Sequence, residues 1–322
     1  YTAKPAPGGE GPKRGPWPLH VVHNAFHKGV QAFGDDIENL CIDLFYFFKT
    51  SPARREDLAE IQYKIGLDEV AFIRHVESRW LSLLPAVERV KDQLPALRKY
   101  FSKLAENDPK IKANDRYRRI MRTVTSDDIL VQLSFLQGMK HPFDQFLEFF
   151  QTEGPLIHML FPAMQRLLKT MMQRFLKVEV LEKTWTELLS LDVSKREYQL
   201  DDKDLEIGAP AEMFMKEMKN PGKQKHCYLG MRSFFTAIIS YMQKSLELKN
   251  TLVEALQCLH PEERKKTTSV QRIRILGKEL PCVKQEEIIT LTDEWRIYAE
   301  EEVPEDWMKE RVDHYWSKVL QE

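Results

Sequence analysis

This sequence predicts a mainly α-helical protein, a multi-helix chain with at most one or two short strands, on three observations. Glycine is scarce, 13 of 322 residues, about 4% where about 7% is usual, which disfavours turn-dense β folds and glycine-rich phosphate loops. Apolar residues recur at helical spacing through most of the chain, with 43% hydrophobic residues available for a core. Only one short run carries β-branched and aromatic residues in strand fashion, Val70 to Val76. At roughly 150 residues per domain, the length suggests two domains.

The elements follow in order. Residues 1–16 hold prolines and glycines and no branched aliphatic side chain, so they read as a disordered tail. After Pro18 the run from Leu19 to His27 opens a helix. Asp35 and Glu38 resemble a capping box ahead of a second helix, whose apolar stripe is Ile37, Leu40, Cys41, Leu44, Phe45 and Phe48. Ser51 as N-cap, Pro52 in the first turn and Gly66 past the end bracket a third helix. Its few apolar positions, Leu58, Ile61 and Ile65, place it at the surface. Helical spacing returns at Leu84, Val87, Leu94, Leu97 and Phe101, with a break expected at Pro95. Two longer stripes predict core helices, one from Leu160 to Leu176 and one from Met231 to Met242. Gly154-Pro155 and Asn220-Pro221-Gly222 punctuate them, and the Asp-rich stretch from Tyr198 to Pro210 reads as a mobile loop.

Several function classes are disfavoured. Lys plus Arg number 48 against 49 Asp plus Glu, so no overall field recruits nucleic acid or an anionic membrane and any charged partner needs a local patch. No apolar stretch is long enough to span a bilayer, no secretory signal is expected, and no membrane partner is expected. Cys41, Cys227, Cys258 and Cys282 lack zinc-module or disulfide-framework spacing, so reduced thiols in an intracellular protein are expected. No nucleophile elbow, metalloprotease word or phosphate loop is present, and neither cofactor nor metal is expected.

Three constellations remain. His20, His23 and His27 fall on one helical face; without a fourth ligand at diagnostic spacing they read as packing or hydrogen-bonding residues. Asp35-Asp36, Asp127-Asp128 and Asp201-Asp202 are adjacent carboxylates whose side chains diverge on a helix, so capping explains them better than a shared metal. The densest basic stretch comprises Lys110, Lys112, Arg116, Arg118, Arg119 and Arg122. Charge runs are usually solvated faces, but this one is the candidate contact for nucleic acid, sequence-tolerant and salt-sensitive.

Leu19-His20-Val21-Val22-His23-Asn24, and later Val76-Glu77-Ser78-Arg79-Trp80-Leu81-Ser82 ahead of a long helical block, resemble the hAT superfamily of DNA transposases and the host proteins derived from them. The words from Asp293 to Tyr298 and from Arg311 to Trp316 are similar to the stretch before that family's terminal dimerisation region. The resemblance runs from Trp17 to Glu322. It implies a Cys-x-x-His motif opening a helix of an RNase H-like domain, and an Arg-Trp motif after a later strand, before an all-helical insertion. His20 takes the histidine place, with His23 and Asn24 beside it, and Arg79 and Trp80 form the second motif. Trp17 stands where the cysteine belongs.

The family's phosphoryl transfer requires two aspartates and a glutamate holding two Mg²⁺ ions. None of the three maps onto these residues. The resemblance therefore implies an incomplete RNase H-like fold: a tail over 1–16, an RNase H-like remnant over 17–101, and a helical insertion-type domain over 102–322. It implies a non-catalytic, domesticated or truncated transposon product, nuclear by resemblance. Weak contacts to duplex DNA or to a protein partner are expected; the alternatives are a helical scaffold without a nucleic-acid role and a residual nuclease. Trp80 is expected to be a buried packing anchor.

Overall fold

The computed structural model describes residues 18–76 and 82–321. The expected tail, Trp17 and the Arg79-Trp80 motif lie outside the described residues. Helix dominates, at 75% of the structure, and among the described residues the one β feature is an isolated bridge between Leu176 and Gln199.

Helix α1 (Pro18–Phe33) lies along the long helix Pro221–Ser245, α12, and buries Val21, Val22, Ala25, Phe26, Gly29 and Val30. Gly29 is required by that approach: a Cβ there would stand 2.6 Å from a side-chain carbon of Ile238. Helix α2 (Asp36–Lys49) buries Ile37, Leu40, Cys41, Leu44, Phe47 and Phe48. The expected capping box does not form. Asp35 makes no side-chain cap, and Glu38 turns inward, 3.3 Å from His75 Nε2. Helix α3 (Pro52–Lys64) starts as its sequence predicts, with Ser51 Oγ accepting the Arg54 amide at 3.4 Å and Pro52 in the first turn. Gly66 beyond its end has φ +72°, a left-handed conformation suited to glycine.

The strand candidate is not a strand. Residues 67–76 are irregular, and side chains take the place of a neighbouring ladder. Arg89 donates to the Ala71 carbonyl at 2.8 Å, the Val76 amide donates to Ser82 Oγ at 3.0 Å, and Phe72 stacks on Phe48 with centroids 5.3 Å apart. Pro95 does not break the chain either. Helix α4 (Leu83–Asn107) runs through it for 25 residues, because the flanking Leu94, Ala96 and Leu97 are all buried and tertiary packing outweighs the proline penalty.

A 3-10 turn over Pro109–Ala113 leads into α5 (Asp115–Val124), α6 (Ile129–Gly138), α7 (Lys140–Gln151) and α8 (Ile157–Gln173). The short helices α9 (Val178–Leu181) and α10 (Trp185–Ser190) precede α11 (Ala209–Glu217) and the long α12 (Pro221–Ser245), where Asn220 caps the Gly222 and Lys223 amides. The segment from Tyr198 to Pro210, expected to be mobile, is tied down. Buried Arg232 donates to Gln199 Oε1 at 3.1 Å and to the Leu200 carbonyl at 2.8 Å, pairs with Asp202, and Leu205 and Ile207 enter the core.

One contiguous buried cluster extends from Val21 to Leu248. Phe26, Phe135 and Phe234 interlock at its centre in edge-to-face pairs, 5.9 Å for Phe26 with Phe234 and 5.0 Å for Phe135 with Phe234. A second cluster gathers Ala255, Cys258, Ile273, Leu276 and Trp295. It is built from α13 (Thr251–Ala255), α14 (Ser269–Glu279), α15 (Ile288–Glu300) and α16 (Val312–Val319), and it joins the first through α8.

Candidate functional site

The basic stretch begins in a turn and continues on α5. Asp108 and Asn114 start these elements by accepting the Lys110 and Tyr117 amides. The inner face of α5 is Tyr117, Ile120 and Val124, with the Tyr117 hydroxyl donating to the Phe101 carbonyl at 3.2 Å. That anchoring rolls Arg116 and Arg119 onto α2. There Asp43, buried at 5% exposure, accepts from Arg116 Nε at 3.1 Å and from Arg119 through both oxygens, at 2.7 and 2.8 Å. The bidentate geometry is the strong form of this pairing, and the carboxylate raises the proton affinity of Arg119 further.

Arg122 pairs with Asp36 at 3.0 Å, and Arg118 pairs with Asp115, whose carboxyl is held below its ordinary range by that hydrogen bond. Three carboxylates are thus set against the six cations. Lys110 and Lys112, both exposed on the turn, face solvent. The residue that sequence reasoning missed is Asp43. Its signal was a lone acid inside an otherwise apolar run, Leu40 to Phe48, whose burial demanded a cationic partner from elsewhere.

On α1, His20 and Asn24 are exposed, while His23 and His27 are half-buried. Burial lowers the His27 pKa, opposed by nearby Glu38. Across from this face Glu38, His75 and Ser82 form a chain, with His75 Nδ1 3.0 Å from Ser82 Oγ. Ser82 also accepts the Val76 amide, so the group closes a turn. No set of three metal-ligating side chains converges among the described residues. The adjacent carboxylates serve ion pairs and local hydrogen bonds: Asp36 with Arg122, Asp127 with Lys223 at 2.8 Å, Asp128 with Gln132, and Asp202 with Arg232. Three thiols are buried, and burial raises Cys41, Cys227 and Cys258 to about 12, while Cys282 is exposed. No helix among the described residues is long and apolar enough to cross a membrane.

A further concavity was not foreseen. It lies where α8 meets the second cluster, with a volume of about 870 Å³, and Trp295, Tyr298, Trp307 and Trp316 furnish its aromatic surface. Two indole N–H groups are already engaged, Trp295 with Ser269 Oγ at 3.1 Å and Trp316 with the Leu259 carbonyl at 2.9 Å. Glu294, Glu301, Glu302 and Asp313 line it as well, and among the described residues no lysine or arginine does. Comparison with protein-family models, with curated proteins and with solved structures finds no match to this chain.

Proposed function

We propose that the chain is a non-catalytic, hAT transposase-derived interaction module that acts in the nucleus and engages protein more than duplex DNA. The family part of this reading rests on the sequence words around His20 and Ser82. The preference for protein rests on one observation: four of the six residues of the densest basic stretch are ion-paired within the chain, whereas the groove carries aromatic rings and carboxylates and, among the described residues, no lysine or arginine in its lining. A surface that must meet phosphates needs uncompensated cations, and one that buries aromatic rings beside a charged rim suits a polypeptide.

Duplex contact is the second reading, favoured by Lys110 and Lys112, which stand exposed beside α5. Such contact is weak, indifferent to sequence and removed by moderate salt. The non-catalytic part is tested by incubating purified full-length chain with duplex DNA and Mg²⁺ or Mn²⁺. The expected result is neither nicking nor joining. Reproducible metal-dependent cleavage that disappears on replacing a single Asp or Glu would overturn it.

A further inference from the structure

We propose that the groove between α8 and the second cluster binds a cationic amphipathic segment of a partner protein, apolar side chains inward and Lys or Arg against its carboxylates. This deepens, and rests on, the interaction-module reading.

The floor is suited to apolar anchors. Trp295, Tyr298 and Trp316 lie together, with centroids 5.2 Å apart for Trp295 and Tyr298 and 5.3 Å for Tyr298 and Trp316. Trp295, 6% exposed, is the buried base of this floor, and with both indole N–H groups satisfied within the chain, the half-buried rings of Tyr298 and Trp316 are what a ligand meets. Ile157 and Leu320 extend the apolar surface outward, at 46% and 80% exposure, where isolated large hydrophobic residues would be unremarkable but contiguous ones mark an interaction site.

The rim selects charge. Arg311 neutralises Asp313 through two hydrogen bonds, but Glu294, Glu301 and Glu302 have no ion-pair partner among the described residues. A ligand bringing lysines or arginines meets three carboxylates without an ion-pair partner among the described residues, while the neighbouring cation Arg311 is already taken up by Asp313. Two of the rings already have a cation of this chain near them, Lys318 Nζ 5.3 Å from the Trp307 centroid and Arg264 5.3 Å from that of Tyr298, so the selection for a cationic ligand rests on the carboxylates. A single ammonium headgroup is far smaller than about 870 Å³, so several side chains are needed to fill the space, as when a helix or extended segment lies in a groove.

The experiment selects randomised peptides of about 12 residues on immobilised full-length chain, then compares each recovered peptide on the wild type and on a Glu301→Lys/Glu302→Lys double variant. Both positions are exposed, and an unchanged melting curve establishes that the variant is folded. The expected peptides carry Lys or Arg flanking apolar anchors, perturb tryptophan fluorescence, and bind the variant at least about tenfold more weakly. Recovered peptides that bind both proteins alike would remove the groove while leaving the interaction-module reading in place; recovery of none would count against both. Sedimentation supplies the remaining outcome. A wild-type dimer that the double variant dissociates would assign the groove to a second copy of this chain and overturn the partner proposed here.

Discussion

Two aromatic regions of this chain are packed to different degrees. In the first cluster Phe26, Phe135 and Phe234 are each 0% exposed and close on one another. Every ring edge and face has a protein neighbour, so the rings contribute stability and offer nothing to a ligand. In the second, Trp295 is 6% exposed, while Tyr298 and Trp316, packed against it, are half-buried and line a groove. The charges divide the same way. Asp43 is buried and held by two arginines, whereas Glu301 and Glu302 stand exposed without a partner among the described residues. The density of a residue type along the chain does not show which of its charges stay unpaired after folding.

The largest expected effect is in the closed region. Phe26→Ala removes a fully buried ring from the contact between α1 and α12 and should cost about 3–5 kcal/mol, read by denaturant unfolding. A loss under about 1 kcal/mol would mean that this region is as loosely filled as the groove. Next comes Gly29→Ala, where the added methyl meets Ile238 and Phe234 within 3 Å. Overpacking there should cost about 1–3 kcal/mol, and a stabilised variant would show that the two helices are free to separate.

Acid should loosen the junction between the regions. Burial and the neighbouring His260, 5.4 Å away ring to ring, lower the pKa of His158. The unfolded chain therefore takes up this proton first. Stability from this residue is intact above about pH 6.5 and declines as pH falls below that value toward the lower folded one. His158→Gln should flatten that decline in thermal melts, and His27, lowered by burial as well, should sustain the remainder. An unchanged pH profile would detach His158 from the account. In the open region, Trp307→Ala should alter stability by less than about 1 kcal/mol because the ring is only half-buried. A larger loss would make the groove wall a structural element.

Much of the helical frame was legible in the sequence because it depends on local signals. Ser51, Pro52 and Gly66 bound α3, and Asn220 with Pro221 opens α12, because capping and fixed φ act within a few residues. Features decided by distant partners were not legible. Pro95 is carried inside α4 by the burial of its neighbours, residues 67–76 satisfy their backbone through Arg89 and Ser82 instead of a strand, and Arg232 fixes the segment that composition marked as mobile. The candidate site was half legible for the same reason. The six basic residues stand out in sequence, but α2 supplies Asp36 and Asp43 from more than seventy residues away. The groove draws its wall from α8 and its floor from α15 and α16, a juxtaposition that no spacing rule contains.

The most direct test of this division is the salt dependence of duplex DNA affinity for the full-length chain. If three carboxylates neutralise half of the basic stretch, at most about three phosphates can be compensated, and log affinity should fall with log salt at a slope no steeper than about 2.7. Absence of measurable binding agrees with the same account. Replacing Lys110 and Lys112 by alanine should flatten any slope by about 1.8 without shifting the melting curve. A slope near 5, the value expected when all six cations meet phosphates, would show that Asp43, Asp36 and Asp115 release their arginines to DNA and would contradict the account.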